Sequence, residues 1–180
     1  MPMKVLPNPP LSFLPNSTWP LPRQIKMAEK APDKIKLKLT VQYPDKRLQK
    51  QLPKDLIKKA VRAALFAPAE FTIRFVNAEE GKALNRDYRA KDYATNVLTF
   101  AYTEDTDAEV TLADIILCTD VLLSEAATQK KAITQHTLHL IVHGVLHAQG
   151  YDHEDADEAA EMEQLEAEIL ATLGIANPYL

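Results

Sequence analysis

The chain has a single cysteine, Cys118, among 180 residues. One thiol forms no internal disulfide, and without a cysteine cluster no sulfur-rich metal site can be built. A reducing, cytoplasmic setting is the expectation. Long apolar runs are missing too. Nothing approaches the roughly 20 residues that span a bilayer, so no membrane partner is expected. Near the start, Pro7, Pro9, Pro10 and Pro15 break any signal-peptide core. There is no internal repeat and no sign of a second domain. What is present, 46% hydrophobic and 26% charged residues, is the composition of an ordinary soluble domain that buries its own core.

The net charge of −4 conceals an asymmetry. Residues 1–62 carry 14 Lys/Arg against 4 Asp/Glu, whereas residues 63–180 carry 7 against 21. A basic half can meet phosphates while an acidic half keeps the protein dissolved, so the average does not exclude nucleic acid. Seven of the twelve prolines fall in residues 1–22, where neither helix nor sheet interior can form. Residues 1–30 are therefore expected to be a flexible leader, and residues 31–176 a single domain.

Within that domain the pattern alternates. Ile35 to Tyr43 places apolar residues at every second position and Lys36 and Lys38 between them, which predicts a strand with one basic face. Helical spacing runs from Pro53 towards Pro68, and a second strand covers Phe71 to Val76. Asn77 is placed to cap a helix over Ala78 to Tyr88. Asn96 to Tyr102 and Val110 to Cys118 read as strands, the latter with Asp114 inside it and in need of a partner. Thr119 or Asp120 is expected to cap a helix ending near Gln129. A helix from about Ala132 to Gln149 is apolar nearly all round, which places it in the core. The last helix, over Ala159 to Ile169, has an apolar stripe that includes Met162, Leu165 and Glu166, with a solvated acidic face, and Gly174 ends it. The prediction is an α+β domain: about four strands in a mixed sheet packed on helices, with a central metal-binding helix.

The chemistry sits at the end of that central helix, in H-L-I-V-H-G-V-L-H-A-Q-G-Y-D-H, His139 to His153. His143 and His147 are one helical turn apart on one face, and their nitrogens can meet one ion at about 2.1 Å. Gly150 suits a left-handed helix stop, after which His153 can swing back as a third ligand. Three histidines leave one tetrahedral position open, the pattern of catalytic rather than structural zinc. The spacing H-x-x-x-H-x-x-G-x-x-H is also that of the metzincins. Their general base, a Glu after the first His, is replaced here by Gly144. His139 stands about 12 Å of helix rise from His147, too far to share the ion, and is read as supporting or packing. His136 is expected to be exposed or capping.

Taken together, H-G-V-L-H-A-Q-G-Y-D-H, Y-R-A-K-D-Y-A-T-N-V-L-T-F and L-A-D-I-I-L, over about residues 35–173, resemble the bacterial YbeY family. Ala94, Thr99, Ala101 and Ala113 depart from residues usual in that family. The resemblance implies a zinc-dependent endoribonuclease that is specific for single strands. It would mature the 3′ end of small-subunit 16S rRNA and serve ribosome quality control. It implies one Zn2+ per chain on His143, His147 and His153, with Arg89 as the catalytic arginine. The implied partners are single-stranded RNA or rRNA and the ribosome or ribosomal proteins, with no DNA. Two nucleophiles are open, a metal-activated water or a ribose 2′-hydroxyl. Two other classes compete: a zincin-like metallopeptidase, against which Gly144 argues, and a non-catalytic zinc-stabilised ribosome assembly factor.

Overall fold

A computed structural model describes residues 34–103, 109–151 and 155–180; the leader lies outside the described residues. Four strands, β1 (Leu37–Gln42), β2 (Ala69–Val76), β3 (Val97–Ala101) and β4 (Thr111–Cys118), form one sheet in the order β1-β2-β4-β3. β1, β2 and β4 are parallel, and β3 runs antiparallel to β4. The helices are α1 (Lys54–Ala63), α2 (Ala78–Arg89), α3 (Thr119–Thr128), α4 (Ile133–Ala148) and α5 (Ala156–Thr172). This is the α+β architecture with a mixed four-stranded sheet that the sequence predicts.

Alternation along the strands divides the core in two. Phe71, Ile73 and Phe75 of β2 and Ala113, Ile115 and Leu117 of β4 face α1 and α4 in the main core. Their neighbours Val76, Ile116 and Cys118 point the other way, with Leu98 of β3, into a smaller cluster beneath α2. α4 lies in the middle of the main core and touches α1, α3, α5, β3 and β4. Its Ile141, Val142, Val145 and Leu146 are fully buried, and each such side chain contributes roughly 1.5–3 kcal/mol of transfer free energy.

Four local expectations need correction or completion. The helix expected to continue towards Pro68 stops at Ala63. Beyond it, the Gln149 amide takes over the backbone, donating to Ala64 O at 2.7 Å and accepting from Phe66 N at 2.8 Å. Neither Thr119 nor Asp120 caps α3, whose N-cap is Cys118. Asp120 instead accepts from the Ala78 amide at the start of α2 at 2.6 Å and from Arg47 at 2.8 Å. The Arg47 hydrogen bond holds its carboxyl below the usual aspartate range. Asp114 is only half-buried and takes its hydrogen bond from the Tyr102 hydroxyl at 2.8 Å. His136 is neither exposed nor capping. It is 5% exposed, with Nε2 2.8 Å from Glu125 of α3. The same Glu125 carboxylate accepts from Asn96, just ahead of β3, at 3.1 Å. Asn77 does cap α2, accepting from Glu80 N at 2.9 Å.

Gly144 marks the closest approach of α4 to the sheet. A Cβ there would stand 3.1 Å from both Ile115 Cγ2 and Thr99 Oγ1, a cross-strand pair of β4 and β3. In an open helix Gly→Ala stabilises by about 1 kcal/mol. Here fully buried Ile115 leaves the methyl group little room, and overpacking costs about 1–3 kcal/mol. Gly144→Ala should therefore lower stability by about 1 kcal/mol in urea unfolding; a gain would show that the sheet yields.

Candidate metal centre

α4 presents His139, His143 and His147 along its one incompletely buried face. At its end Gly150 takes φ +97°. The Gly150 amide then bonds His147 O at 3.0 Å, and the Tyr151 amide bonds Leu146 O at 3.1 Å. This is the left-handed glycine stop expected from the sequence, in its two-bond form. Tyr151 packs against Phe66, ring centroids 6.0 Å apart, so the chain leaves α4 in a fixed direction. His153, the third predicted ligand, lies outside the described residues. Among the described residues no group of three or more His, Cys, Asp or Glu is placed to hold a metal.

His143 Nε2 and His147 Nε2 are 3.0 Å apart, with ring centroids at 4.4 Å. Two imidazole nitrogens bound at about 2.0–2.1 Å to a tetrahedral ion would be separated by roughly 3.3 Å. The pair is thus nearly in position to share one.

The other ring nitrogen of His143 decides which atom carries the lone pair. His143 Nδ1 is 2.5 Å from Oε1 of Glu166 in α5. A carboxylate there accepts a hydrogen bond from Nδ1–H, which keeps the proton on Nδ1 and leaves Nε2 as the electron-pair donor, as in carboxylate–histidine–metal arrangements. Glu166 has 0% exposure, against 24% for the His143 side chain. Its second oxygen accepts from His139 Nε2 at 3.0 Å and from the Tyr179 hydroxyl. Burial by itself would raise the Glu166 pKa, but the hydrogen bonds from His139, His143 and Tyr179 outweigh it and bring it down to about 2. Glu166 is therefore anionic at neutral pH, a negative charge held directly behind His143. The residues present fit a divalent ion with nitrogen ligands.

His139 does not point at the pair of nitrogens. Its Nε2 is engaged by Glu166 and lies 3.2 Å from the Tyr179 hydroxyl, so it supports the carboxylate. Sequence reasoning missed Glu166, Glu125 and Tyr179. For Glu166 a signal was available: an acid inside the apolar stripe of Met162, Leu165 and Ile169 must be buried with donors, and the histidine row of α4 supplies them.

Arg89 is the last residue of α2, followed by Ala90 in the left-handed region at φ 55°. Buried Asn85 secures the loop beyond it, donating to Tyr93 O at 2.7 Å. The exposed Arg89 guanidinium reaches over β3, where Nη2 is 3.5 Å from Thr99 O. The Thr99 side chain is the one that meets Gly144, the residue next to His143. Arg89 thus lies over the strand whose Thr99 also approaches α4 at Gly144.

The family model described as Endoribonuclease YbeY matches residues 34–174. Relatives named Endoribonuclease YbeY include one from Janthinobacterium sp. (strain Marseille), 67% identical over 147 residues, covering 82% of this chain and 97% of that protein. Another from Herminiimonas arsenicoxydans is 61% identical over 150 residues, covering 81% and 96%. A third, from Paraburkholderia phymatum, is 55% identical over 148 residues, covering 80% and 96%. A solution structure of a Thermotoga maritima protein has a TM-score of 0.49 and 21% identity, over 77% of this chain and 91% of that one.

Proposed function

This chain belongs to the YbeY endoribonuclease family, and on that premise we propose that it cleaves single-stranded RNA with one zinc ion held by His143, His147 and His153. The observation that carries the reading is the convergence of His143 and His147 Nε2 to 3.0 Å, with the first ring held from behind by Glu166. A zinc ion in that position supplies a Lewis acid that acidifies water and polarises a phosphoryl oxygen. The protein's own residues do the rest. Glu166 orients His143 and keeps its lone pair directed outward. Arg89 uses one edge of its guanidinium on Thr99 O and offers its exposed edge to the scissile phosphate in two-point contact. The nucleophile is either an activated water or the adjacent ribose 2′-hydroxyl. The setting proposed for this activity is rRNA maturation in the cytoplasm, at the 3′ end of 16S rRNA on the ribosome.

The peptidase alternative loses its chemistry in this geometry. Position 144, where a zincin carries its base, is a glycine that faces Ile115 and Thr99, with little room even for a methyl group. Among the described residues no helix is long and apolar enough to cross a membrane.

The test is cleavage of a labelled single-stranded RNA, beside its duplex, by protein of measured metal content. Cutting of the single strand that stops on chelation and returns with Zn2+ is expected. RNA binding without chelator-sensitive cleavage would leave the assembly-factor reading instead. Chelation should also lower the melting temperature. At a hundredfold excess over Kd, a ligand that binds only the folded state adds about 2.7 kcal/mol, or roughly 5–10 °C for a domain of this size. Coincident melting curves for metal-free and Zn2+-loaded protein would overturn the coupling.

A further inference from the structure

The segment after α5 returns to the metal centre. Gly174, at φ +73°, ends the helix, and the Ile175 amide bonds back to Leu170 O at 3.0 Å. Ile175 is buried in the main core. Asn177 accepts from the Tyr179 amide at 2.9 Å, and Lys131, from the α3–α4 turn, donates to Pro178 O at 3.2 Å. So anchored, the Tyr179 hydroxyl reaches Glu166 Oε2, and its ring stands edge-on to His139 with centroids 5.5 Å apart. This segment lies beyond residue 174, where the family match stops.

We propose that Tyr179 is a positioning residue of the metal centre, its hydroxyl fixing the Glu166 carboxylate in the orientation that aims His143 Nε2 at the ion. The inference rests on the metal reading above. A glutamate has three side-chain torsions, and the hydrogen bond from His143 to Oε1 constrains only one end of the carboxylate. Oε2 is held from two directions, by His139 of α4 and by Tyr179 of the tail. Without the hydroxyl, Oε2 of the fully buried Glu166 side chain keeps one donor, and the carboxylate can rotate away from His143. Tyr179 is a donor because burial first, and then the neighbouring carboxylate, push its pKa up.

The experiment is Co2+ titration of the metal-stripped full chain, wild type and Tyr179→Phe, with His147→Ala as reference and with melting of each metal-free protein. Changes behind a metal-ligating histidine typically cost about 10–100-fold in affinity, so Tyr179→Phe should bind Co2+ about tenfold more weakly, a loss larger than any accompanying fall in its metal-free stability. A Co2+ affinity within twofold of wild type overturns the role of Tyr179. So does an affinity loss accompanied by an equivalent loss of metal-free stability, which would make the contact merely structural. A wild type that binds Co2+ no better than His147→Ala overturns the metal reading itself, and this inference with it. A second measurement needs no variant. Coupling is reciprocal, so Co2+ should slow amide exchange over residues 175–179 of the wild type; unchanged exchange there overturns the proposal.

Discussion

His147→Ala should abolish stoichiometric metal binding, taking the purified protein from one ion per chain to background in elemental analysis. His147 contributes one of the two Nε2 atoms that converge to 3.0 Å, and no other described imidazole is aimed to replace it. His139, its counterpart two turns earlier, has its Nε2 on Glu166. His139→Ala makes the internal control. It should still load metal when Zn2+ is in excess, with affinity reduced by about 10–100-fold through loss of support behind His143. Equal metal contents in His147→Ala and wild type would remove His147 from the ligand set. Full loss in His139→Ala alone would reverse the assignment of the two rings.

The parts of this site legible in the sequence are those set by local geometry. A spacing of four on a helix puts His143 and His147 on one face whatever surrounds them. The φ +97° of Gly150 follows from the need to end a helix before the chain turns. The apolar circumference of α4 likewise announces its central place, because no other environment suits it. Gly144 was legible only by half: as an absent general base in the sequence, and in the fold as the point where helix and sheet meet.

What stayed hidden depends on which elements the fold sets side by side. Glu166 follows His143 by 23 positions and sits in a stripe whose other members are ordinary core residues. Its role requires that α5 lie against α4. Glu125 joins His136 and Asn96 only because α3, α4 and the start of β3 meet. Asp120 looks like a cap for its own helix, yet its carboxylate accepts from the Ala78 amide at the start of α2 and from Arg47. In each case a polar side chain has several partners within its chemistry, and tertiary placement chooses among them.

Arg89→Glu should leave the protein folded and metal-replete but lower RNA cleavage by about a hundredfold or more. The fold cost is expected to be small. Arg89 is exposed at the end of α2, and its contact from Nη2 to Thr99 O is long at 3.5 Å. A substitution at such a position usually changes stability by within about 0.5 kcal/mol. Reversing a charge beside the α2 carboxyl end adds at most about 1 kcal/mol. The activity cost is large for a different reason. A guanidinium contact that offsets charge developing at phosphorus acts in the transition state, so its removal appears in kcat as well as in kcat/KM. The carboxylate put in its place also repels the substrate. Arg89→Lys separates the two effects: it keeps the positive charge but loses the planar fork, so it should regain substrate affinity while recovering only part of kcat. The measurement is single-strand cleavage by folded protein of verified metal content. Wild-type rates from Arg89→Glu would show that the arginine over β3 has no part in the reaction and that the phosphate is held elsewhere.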